Sequence, residues 1–352
     1  MDLESVKARS RVVKLVRAWF DAQGFTEMLT PRLVGLPGQE PYLEPFWTEV
    51  RQSASPQSEA PRPAALVTSP EYAMKRLLAA GLDKIYDLGP CFRNNEPWDG
   101  THDPEFLMLE WYRRNAGLDE LMDDTEKMIR WVSGQWSVAN GRSDRLPSTV
   151  YRLPSTNFRR LTVEDAWREY TGVELAPLLD DREGLAKVAL DKFNQTVSPD
   201  DSWDDIYFKI FLSAIEPHLG RSSTDSGLRT PDPVFLYRYP ASMAALARRS
   251  ADDSRWADRV ELYVGPYELA NGFAELCDPV EQRKRFDEER ALRSKLGKKT
   301  WPSDEKFLAD LPKMGNAAGI AFGVERLAML LTGVESINDI LPFTARERFS
   351  NV

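Results

Sequence analysis

The sequence is poor in the residues that build zinc sites and disulfide frameworks. It contains only the cysteines Cys91 and Cys277 and the histidines His102 and His218 in 352 residues. Two cysteines cannot form a disulfide framework or a four-thiolate zinc site, and two histidines exclude a histidine-rich metal centre. We therefore expect a zinc-free protein in a reducing compartment, which favours a cytoplasmic location.

Long apolar runs and glycine-rich phosphate loops are also missing. No stretch approaches the roughly eighteen consecutive apolar residues of a membrane span, and the charged, amphipathic start of the chain is unlike a signal peptide. Neither GxGxxG nor GxxxxGKS/T occurs, which excludes the common dinucleotide and P-loop cradles. Lys and Arg number 46 against 55 Asp and Glu, a net charge of −9. That balance disfavours broad electrostatic binding of nucleic acid.

The chain nevertheless has the composition of a folded globular protein, with 42% hydrophobic and 29% charged residues. Hydrophobic periodicity predicts a first helix from Leu3 to about Phe20, stopped by Gly24. A short strand is expected over 25–33, and a polar, mobile loop over 51–63. Ser69 and Pro70 have the residue types of an N-cap and a first helical residue.

Two strand-like runs, 85–94 and 105–113, predict a long antiparallel hairpin with a turn at Asp99-Gly100. Antiparallel strand pairs with helices between them predict an α+β fold rather than a doubly wound parallel sheet. The further helices are expected at 117–133, 161–171, 183–193, 203–216 and 279–296, the further strands at 234–239, 259–264 and 267–276, and a final strand–helix unit at 318–332.

Small residues line one side of the final strand. Gly319, Ala321 and Gly323 alternate, so that one face is nearly bare, and glycine in a strand often marks the close approach of a ligand. Arg326 follows at the start of an apolar helix, where a guanidinium and a helix N-terminus together favour phosphate binding. Tight strand–helix packing, with Arg326 in a structural ion pair, explains the same pattern equally well.

The returning strand of the hairpin carries a carboxylate among apolar side chains. Glu110 and Tyr112 share a face with Phe106 and Met108, while the alternate residues are all apolar and are expected to pack on the core. A carboxylate in such surroundings is costly unless it meets a cation, which favours an amine-bearing ligand. The alternative is an ion pair within the sheet between Glu110 and Arg93.

A third pattern contains two carboxylates, Glu268 and Glu275, in one strand. Their odd separation places them on opposite faces of a regular strand, but a bulge at Asn271-Gly272 would turn both to the same side. Together with phosphate oxygens, such a pair suits Mg²⁺. Without the bulge, the two residues are neighbours of unrelated roles.

With these motifs the sequence resembles the catalytic core of class II aminoacyl-tRNA synthetases, in particular the lysyl enzymes. It is still more similar to their short paralogues, the elongation factor P–(R)-β-lysine ligases. Motif 1 corresponds to the first helix and 24–31, motif 2 to 92–112 and motif 3 to 319–331, and segments 68–75 and 268–276 match the ligases almost residue for residue. The resemblance implies one catalytic domain over 1–352, with a mixed, mostly antiparallel sheet flanked by helices.

The resemblance also implies ATP and Mg²⁺ as cofactors and gives roles to individual residues. Arg93 and Arg326 would be the catalytic residues, on the α- and γ-phosphates of ATP, and Phe106 would stack on adenine. Glu268 and Glu275 would bind Mg²⁺. The other implied ATP contacts are Asn94, Asn95, His102, Asp103, Leu269 and Gly323. The residues implied around the amino acid are Ser69, Pro70, Glu71, Glu110, Tyr112, Asn271, Glu275 and Ala321.

Two features favour the ligase over the synthetase. Lysyl-tRNA synthetases carry an N-terminal anticodon module of about 100 residues or more, whereas motif 1 begins almost at Met1 here. Position 321 is Ala, as in the ligases, where the synthetases have Gly, and one methyl group in a pocket discriminates by roughly 1–3 kcal/mol. We expect activation of (R)-β-lysine or lysine, transfer to a lysine of elongation factor P rather than to tRNA, and a homodimer formed through motif 1.

Two other interpretations stay open. The chain is alternatively a free-standing synthetase core that charges tRNA or another carrier, or a non-catalytic binding protein. Departures from the family pattern motivate the last interpretation: Asn95 stands where the family has Glu, and Asp103 where it has Asn. Glu96 directly follows Asn95 and is the candidate to take the missing role.

Overall fold

The structure is a computed structural model, and it describes residues 3–51, 60–139, 158–221 and 232–350. Within these ranges the chain forms two β-sheets surrounded by helices. The strands in chain order are β1 (Thr26–Glu27), β2 (Leu33–Val34), β3 (Trp47–Val50), β4 (Arg62–Leu66), β5 (Lys84–Phe92), β6 (Glu105–Arg114), β7 (Arg159–Thr162), β8 (Val234–Pro240), β9 (Trp256–Val264), β10 (Tyr267–Ala274) and β11 (Ala317–Gly323). The α-helices are α1 (Leu3–Ala22), α2 (Glu71–Ala79), α3 (Leu118–Ala139), α4 (Val163–Thr171), α5 (Arg182–Phe193), α6 (Trp203–Ile210), α7 (Pro279–Lys295), α8 (Glu305–Met314), α9 (Val324–Thr332) and α10 (Ala345–Arg348).

The larger sheet has eight strands in the order β1-β5-β6-β11-β10-β9-β8-β7. Its outermost pairs, β1–β5 and β7–β8, are parallel, and all the neighbours between them are antiparallel. The predicted α+β class with a mixed, mostly antiparallel sheet is confirmed, and so is the long hairpin, which β5 and β6 form. A smaller antiparallel sheet has the order β2-β4-β3.

The two faces of the larger sheet pack against different helices. Leu109 and Trp111 of β6 belong to the main core, which includes residues of α1, α3 and α9. Tyr112 points to the opposite face and packs in a second cluster with residues of α2 and α8. The alternation predicted for β6 is therefore confirmed, because successive side chains of a strand leave on opposite faces. Glu110 and its neighbours face α2 rather than the main core.

The prediction of one strand over 25–33 is wrong. β1 and β2 are short and belong to different sheets. Between them Thr30 donates from its backbone N–H and its hydroxyl to the Asp87 carboxylate, at 3.0 and 2.7 Å, and Pro31 has no N–H with which to continue a ladder. The predicted loop over 51–63 is also wrong at its end, because β4 starts at Arg62; residues 52–59 lie outside the described ranges.

Two helix predictions also need correction, and one helix was missed. Ser69 is not the N-cap of α2: Pro70 occupies that position and makes no side-chain capping bond. The helix predicted over 203–216 is α-helical only to Ile210, after which Phe211–Ile215 forms a π-helical turn. α8 was not predicted, because Pro312 lies inside it. Within the described ranges, no helix is both long and apolar enough to cross a membrane.

Candidate active site

A cavity of ≈ 310 Å³ lies over β6, β11 and β10, on the side of the larger sheet that carries Glu110. It is the place where most of the predicted site residues meet. Those that line it are Ser69, Glu71, Arg93, His102, Asp103, Phe106, Glu110, Glu268, Leu269, Asn271, Ala321, Gly323 and Arg326. The predicted residues Pro70, Asn94, Asn95, Tyr112 and Glu275 are not among the residues that line this cavity.

Three neighbouring strands place the amino-acid candidates in one row. Ala321 on β11 is in register with Glu110 on β6 and, on its other side, with Asn271 on β10. Residues in register on adjacent strands point to the same face. The small Ala321 side chain therefore forms the floor between a carboxyl group and an amide, and its size sets the depth of the cavity there.

Glu110 is the acid of this row and is buried, with 1% of its surface exposed. The Ser69 hydroxyl donates to it at 2.5 Å and the Tyr112 hydroxyl at 2.8 Å. Burial, and next the nearby Glu71, raises the pKa of Glu110 to about 8. Among the described residues no arginine contacts its carboxylate, so the alternative of a Glu110–Arg93 pair is wrong. The carboxylate thus retains the capacity to accept a cationic ligand.

The bare face expected along β11 is only partly bare. A Cβ on Gly319 would collide with the Tyr112 ring and lie 2.7 Å from Oε1 of Glu275. The prediction is therefore wrong at Gly319, where neighbouring side chains already cover the strand. Ala321 and Gly323 do line the cavity, so close approach of a ligand is possible at these two positions.

Glu275 is occupied by a lysine that the sequence reasoning missed. The Lys75 ammonium lies 2.6 Å from Oε2 of Glu275 and also contacts the Glu71 carboxylate. Burial opposes the charged form, but the two carboxylates outweigh it and hold the pKa of Lys75 above its ordinary value. The sequence could have predicted the contact between Lys75 and Glu71, because the two residues are four apart in a predicted helix. It gave no indication of the contact with Glu275.

The other end of the cavity is cationic. The Arg93 guanidinium lies 5.1 Å from the centre of the Phe106 ring, and its buried Nε atom has no hydrogen-bond partner among the described residues. Nη1 of Arg326 donates to the backbone oxygen of Glu268 at 2.6 Å. Arg326 also stands in the first turn of α9, whose N-cap Gly323 offers no side-chain acceptor. Two guanidinium groups and an open helix N-terminus are suited to phosphates.

Glu268 lies at this cationic end, because its backbone oxygen accepts the hydrogen bond from Arg326. The bulge in β10 lies between Glu268 and Ala270, so the predicted position at Asn271-Gly272 is wrong. Desolvation, and next the Glu261 carboxylate, raises the pKa of Glu268. No group of three or more metal-ligating side chains occurs in the described part of the chain. A cation here would need oxygen ligands from the phosphates as well, which is how Mg²⁺ is usually held.

The loop between β5 and β6 contains both departures from the family pattern, Asn95 and Asp103. Asn95 has a left-handed backbone (φ 60°) and does not line the cavity, whereas Glu96 does. This placement supports Glu96 as the replacement for the missing acid. Both oxygens of Asp103 are used within the protein: Oδ2 accepts from the Ala345 N–H at 2.9 Å, and Oδ1 binds Arg348.

Comparison with known proteins agrees with this geometry. The family model described as tRNA synthetases class II (D, K and N) matches residues 3–347. The chain belongs to this class II synthetase family, whose members are ATP-dependent ligases that activate amino acids.

Within the family, the chain is similar to proteins that are named as ligases rather than as synthetases. A protein of Proteus mirabilis (strain HI4320) called elongation factor P–(R)-β-lysine ligase is 36% identical over 338 residues, 95% of this chain and 93% of that protein. Proteins of the same name from Photorhabdus laumondii and Haemophilus influenzae (strain PittGG) are 34% and 33% identical. These alignments cover 96% and 97% of this chain and 93% and 95% of the relatives.

Proposed function

We propose that this protein activates (R)-β-lysine or lysine with ATP and transfers it to a lysine side chain of elongation factor P. The observation that carries the proposal is the polarity of the cavity. Glu110, buried and bound only by hydroxyl groups, faces one end, and Arg93 and Arg326 face the other. A diamino acid supplies an ammonium group for the Glu110 end, and a nucleoside triphosphate supplies phosphates for the arginine end. The names of the relatives support the choice of amino acid and acceptor.

The chemistry requires no protein nucleophile. The carboxylate of the amino acid attacks the α-phosphorus of ATP, an acyl–phosphate bond forms, and pyrophosphate leaves. The acceptor amine then attacks the acyl carbon, loses a proton, and AMP leaves with the electron pair of the broken bond. In this scheme Arg93 binds the α-phosphate, Arg326 the γ-phosphate, and Phe106 stacks on adenine. Catalysis rests on positioning and on charge neutralisation.

Glu268 fits the role of a magnesium ligand better than Glu275 does. Glu268 lines the cavity, and burial, followed by the Glu261 carboxylate, raises its pKa, so a dication there would offset the cost of the charged form. When bound, the ion supplies screening of the phosphate charge. Glu275 as a second ligand stays a prediction, and its contact with Lys75 counts against it.

We also propose a cytoplasmic homodimer with a single catalytic domain over 1–352. Leu29 and Leu33 flank Pro31 and are 85% and 44% exposed, an apolar surface suited to a second copy of this segment. Sedimentation velocity should show a dimer for the unchanged protein and a shift toward monomer for Leu29→Asp. A monomer for the unchanged protein at micromolar concentration would contradict the dimer.

Two measurements test the main proposal. Exchange of labelled pyrophosphate into ATP that depends on (R)-β-lysine or lysine tests activation, and a mass increase of elongation factor P by one lysyl group tests transfer. Arg326→Ala is the inactive control. Exchange with α-lysine but not with (R)-β-lysine would contradict the β-lysine assignment.

The same experiments separate the alternatives. Aminoacylated tRNA together with unmodified elongation factor P would favour a free-standing synthetase core. Failure to bind ATP and Mg²⁺ in calorimetry would favour a non-catalytic binding protein.

A further inference from the structure

Glu40 is an acid of the cavity that the sequence patterns did not reveal. It lines the cavity together with Leu43. Its Oε2 atom is shielded from solvent and has no hydrogen-bond partner among the described residues. Gly38 makes this position possible, because a Cβ there would collide with the Glu40 carboxylate. A buried carboxylate oxygen without a partner is costly in the free protein, and a cationic ligand would remove that cost.

The segment that carries Glu40, residues 37–44, is held rigidly from behind by the last turn of α7 and the residues that follow it. Arg293, 1% exposed, donates to the backbone oxygens of Glu40 and Leu43 at 2.9 and 2.8 Å and to the Glu44 carboxylate at 2.9 Å. Lys298 donates to the oxygen of Pro41 at 2.8 Å and Trp301 to that of Pro37 at 3.0 Å. These contacts fix the backbone, so that the Glu40 carboxylate is preorganised at the cavity wall.

The position of Glu40 along the cavity follows from its neighbours. The backbone N–H of Asn94, the residue after Arg93, donates to the oxygen of Glu44 at 2.7 Å, so the segment adjoins the cationic end. Glu110 lies four residues beyond Phe106 on β6, about 13 Å along the strand from the Arg93–Phe106 contact. Burial, and next the Glu71 carboxylate, raises the pKa of both Glu40 and Glu110, so Glu71 is a negative charge near each of them.

We propose that Glu40 is a specificity residue that binds the amino group nearest the reacting carboxylate of the diamino acid, while Glu110 receives the distal ammonium. This inference rests on the proposed function and deepens it. An α-amino group and a β-amino group differ by one carbon in their distance from the carboxylate. A rigidly held Glu40 carboxylate at the cationic end therefore binds one of the two isomers more tightly, depending on which carbon carries the amine. This selection is independent of the Ala321 methyl group.

The test compares Glu40→Gln with the matched control Glu44→Gln. Both remove one charge from the same segment, but Glu44 pairs with Arg293 and does not line the cavity. Pyrophosphate exchange should show a KM for the preferred diamino acid raised by about 10- to 100-fold in Glu40→Gln, the loss expected for a charged hydrogen bond. The KM for ATP should stay unchanged, and Glu40→Asp should restore part of the affinity.

An amino acid without the proximal amine makes the test specific. Inhibition by 6-aminohexanoic acid, which keeps only the distal ammonium, should weaken in Glu110→Gln and not in Glu40→Gln. Equal weakening of 6-aminohexanoic acid and the diamino acid in Glu40→Gln, or an unchanged KM for the diamino acid, would overturn the role of Glu40. Absence of exchange by the unchanged protein with every diamino acid would instead refute the proposed function.

Discussion

The ammonium of Lys75 lies 2.6 Å from the carboxylate of Glu275, and both residues are almost completely buried, at 1% and 2% exposure. The contact joins α2 to the end of β10, two elements that are far apart in the sequence. Lys75 also contacts Glu71, so one cation neutralises two acids behind the amino-acid end of the cavity. Both acids were predicted to contact the substrate, and this stays a prediction: Glu71 lines the cavity, whereas Glu275 does not.

Removing this cation should destabilise the protein strongly. Lys75→Met leaves two uncompensated buried carboxylates, and we expect the free energy of unfolding to fall by about 3–5 kcal/mol at pH 8. In the variant, the folded-state pKa of Glu275 lies above its ordinary value, so stability is lost as the pH rises and part of it returns at pH 5. Urea denaturation at the two pH values measures both effects.

The control for this change is Lys7→Met. Lys7 pairs with Glu4 at the surface, where both side chains are largely exposed, and such pairs contribute about 0–1 kcal/mol. A loss no larger in Lys75→Met than in Lys7→Met would show that the buried contact is not important for stability.

Glu110 should make binding of the diamino acid dependent on pH. Its pKa is raised from 4.5 to about 8 in the free protein, so the free protein holds this proton below about pH 8, whereas a bound ammonium requires the carboxylate. Binding should therefore release a proton, and affinity should rise by up to about tenfold per pH unit until about pH 8. Calorimetry in buffers of different ionisation enthalpy measures the release, which should be absent in Glu110→Gln.

The raised pKa of Glu110 also determines how the free energy of unfolding depends on pH. Because the folded-state pKa lies above the unfolded one, the contribution of Glu110 is greatest below about pH 4.5 and declines as the pH rises through about 8. The difference in unfolding free energy between Glu110→Gln and the unchanged protein should follow this slope. A difference that is constant over this range would contradict the raised pKa.

Ala321→Gly should change the choice of amino acid. The Ala321 methyl forms the floor between Glu110 and Asn271, and its removal is expected to shift the ratio of kcat/KM for α-lysine over (R)-β-lysine by about tenfold or more toward α-lysine. Ala318→Gly is the matched control, because Ala318 is on the same strand and packs in the main core. An equal shift in both variants would mean that strand flexibility, and not the floor, is responsible.

The two glycines of β11 should respond differently to a methyl group. Gly319→Ala collides with the Tyr112 ring, so we expect lower stability and weaker diamino acid binding together. Gly323→Ala meets only the Arg326 side chain, at 3.4 Å or more, so its melting temperature should stay close to that of the unchanged protein. Thermal denaturation separates them, and equal melting temperatures would contradict the packing described for Tyr112.

Local sequence patterns predict the position of a site residue when that position depends on a single strand or a single strand–helix junction. Alternation along β6 places Glu110 and Tyr112 on the cavity side of the sheet, and the strand–helix junction places Arg326 in the first turn of α9. The family resemblance implies that Arg93 and Phe106 both contact ATP, and in the structure the Arg93 guanidinium lies 5.1 Å from the centre of the Phe106 ring.

The rest depends on contacts between distant segments. The partner of Lys75 lies 200 residues further along the chain, and no periodicity connects the two. Glu40 lies in a segment without helix or strand pattern, so only the folded chain shows that Arg293 holds it at the cavity. The bulge of β10 was predicted at Asn271-Gly272 because these residue types are typical of bulges. The pairing with β9 instead shifts register between Glu268 and Ala270, which depends on the partner strand and not on residue type.

Asp103 connects α10 to a loop that lines the cavity. Its carboxylate holds the loop that carries His102 and Glu96 to Ala345 and Arg348, close to the C-terminus. A label attached beside α10 would strain the link, and under the proposed function it would alter the affinity for ATP, whereas a label beside α1 would leave the link intact. The same link makes α10 a suitable place for a fluorescent reporter, because a rearrangement of the loop on nucleotide binding would be transmitted to it.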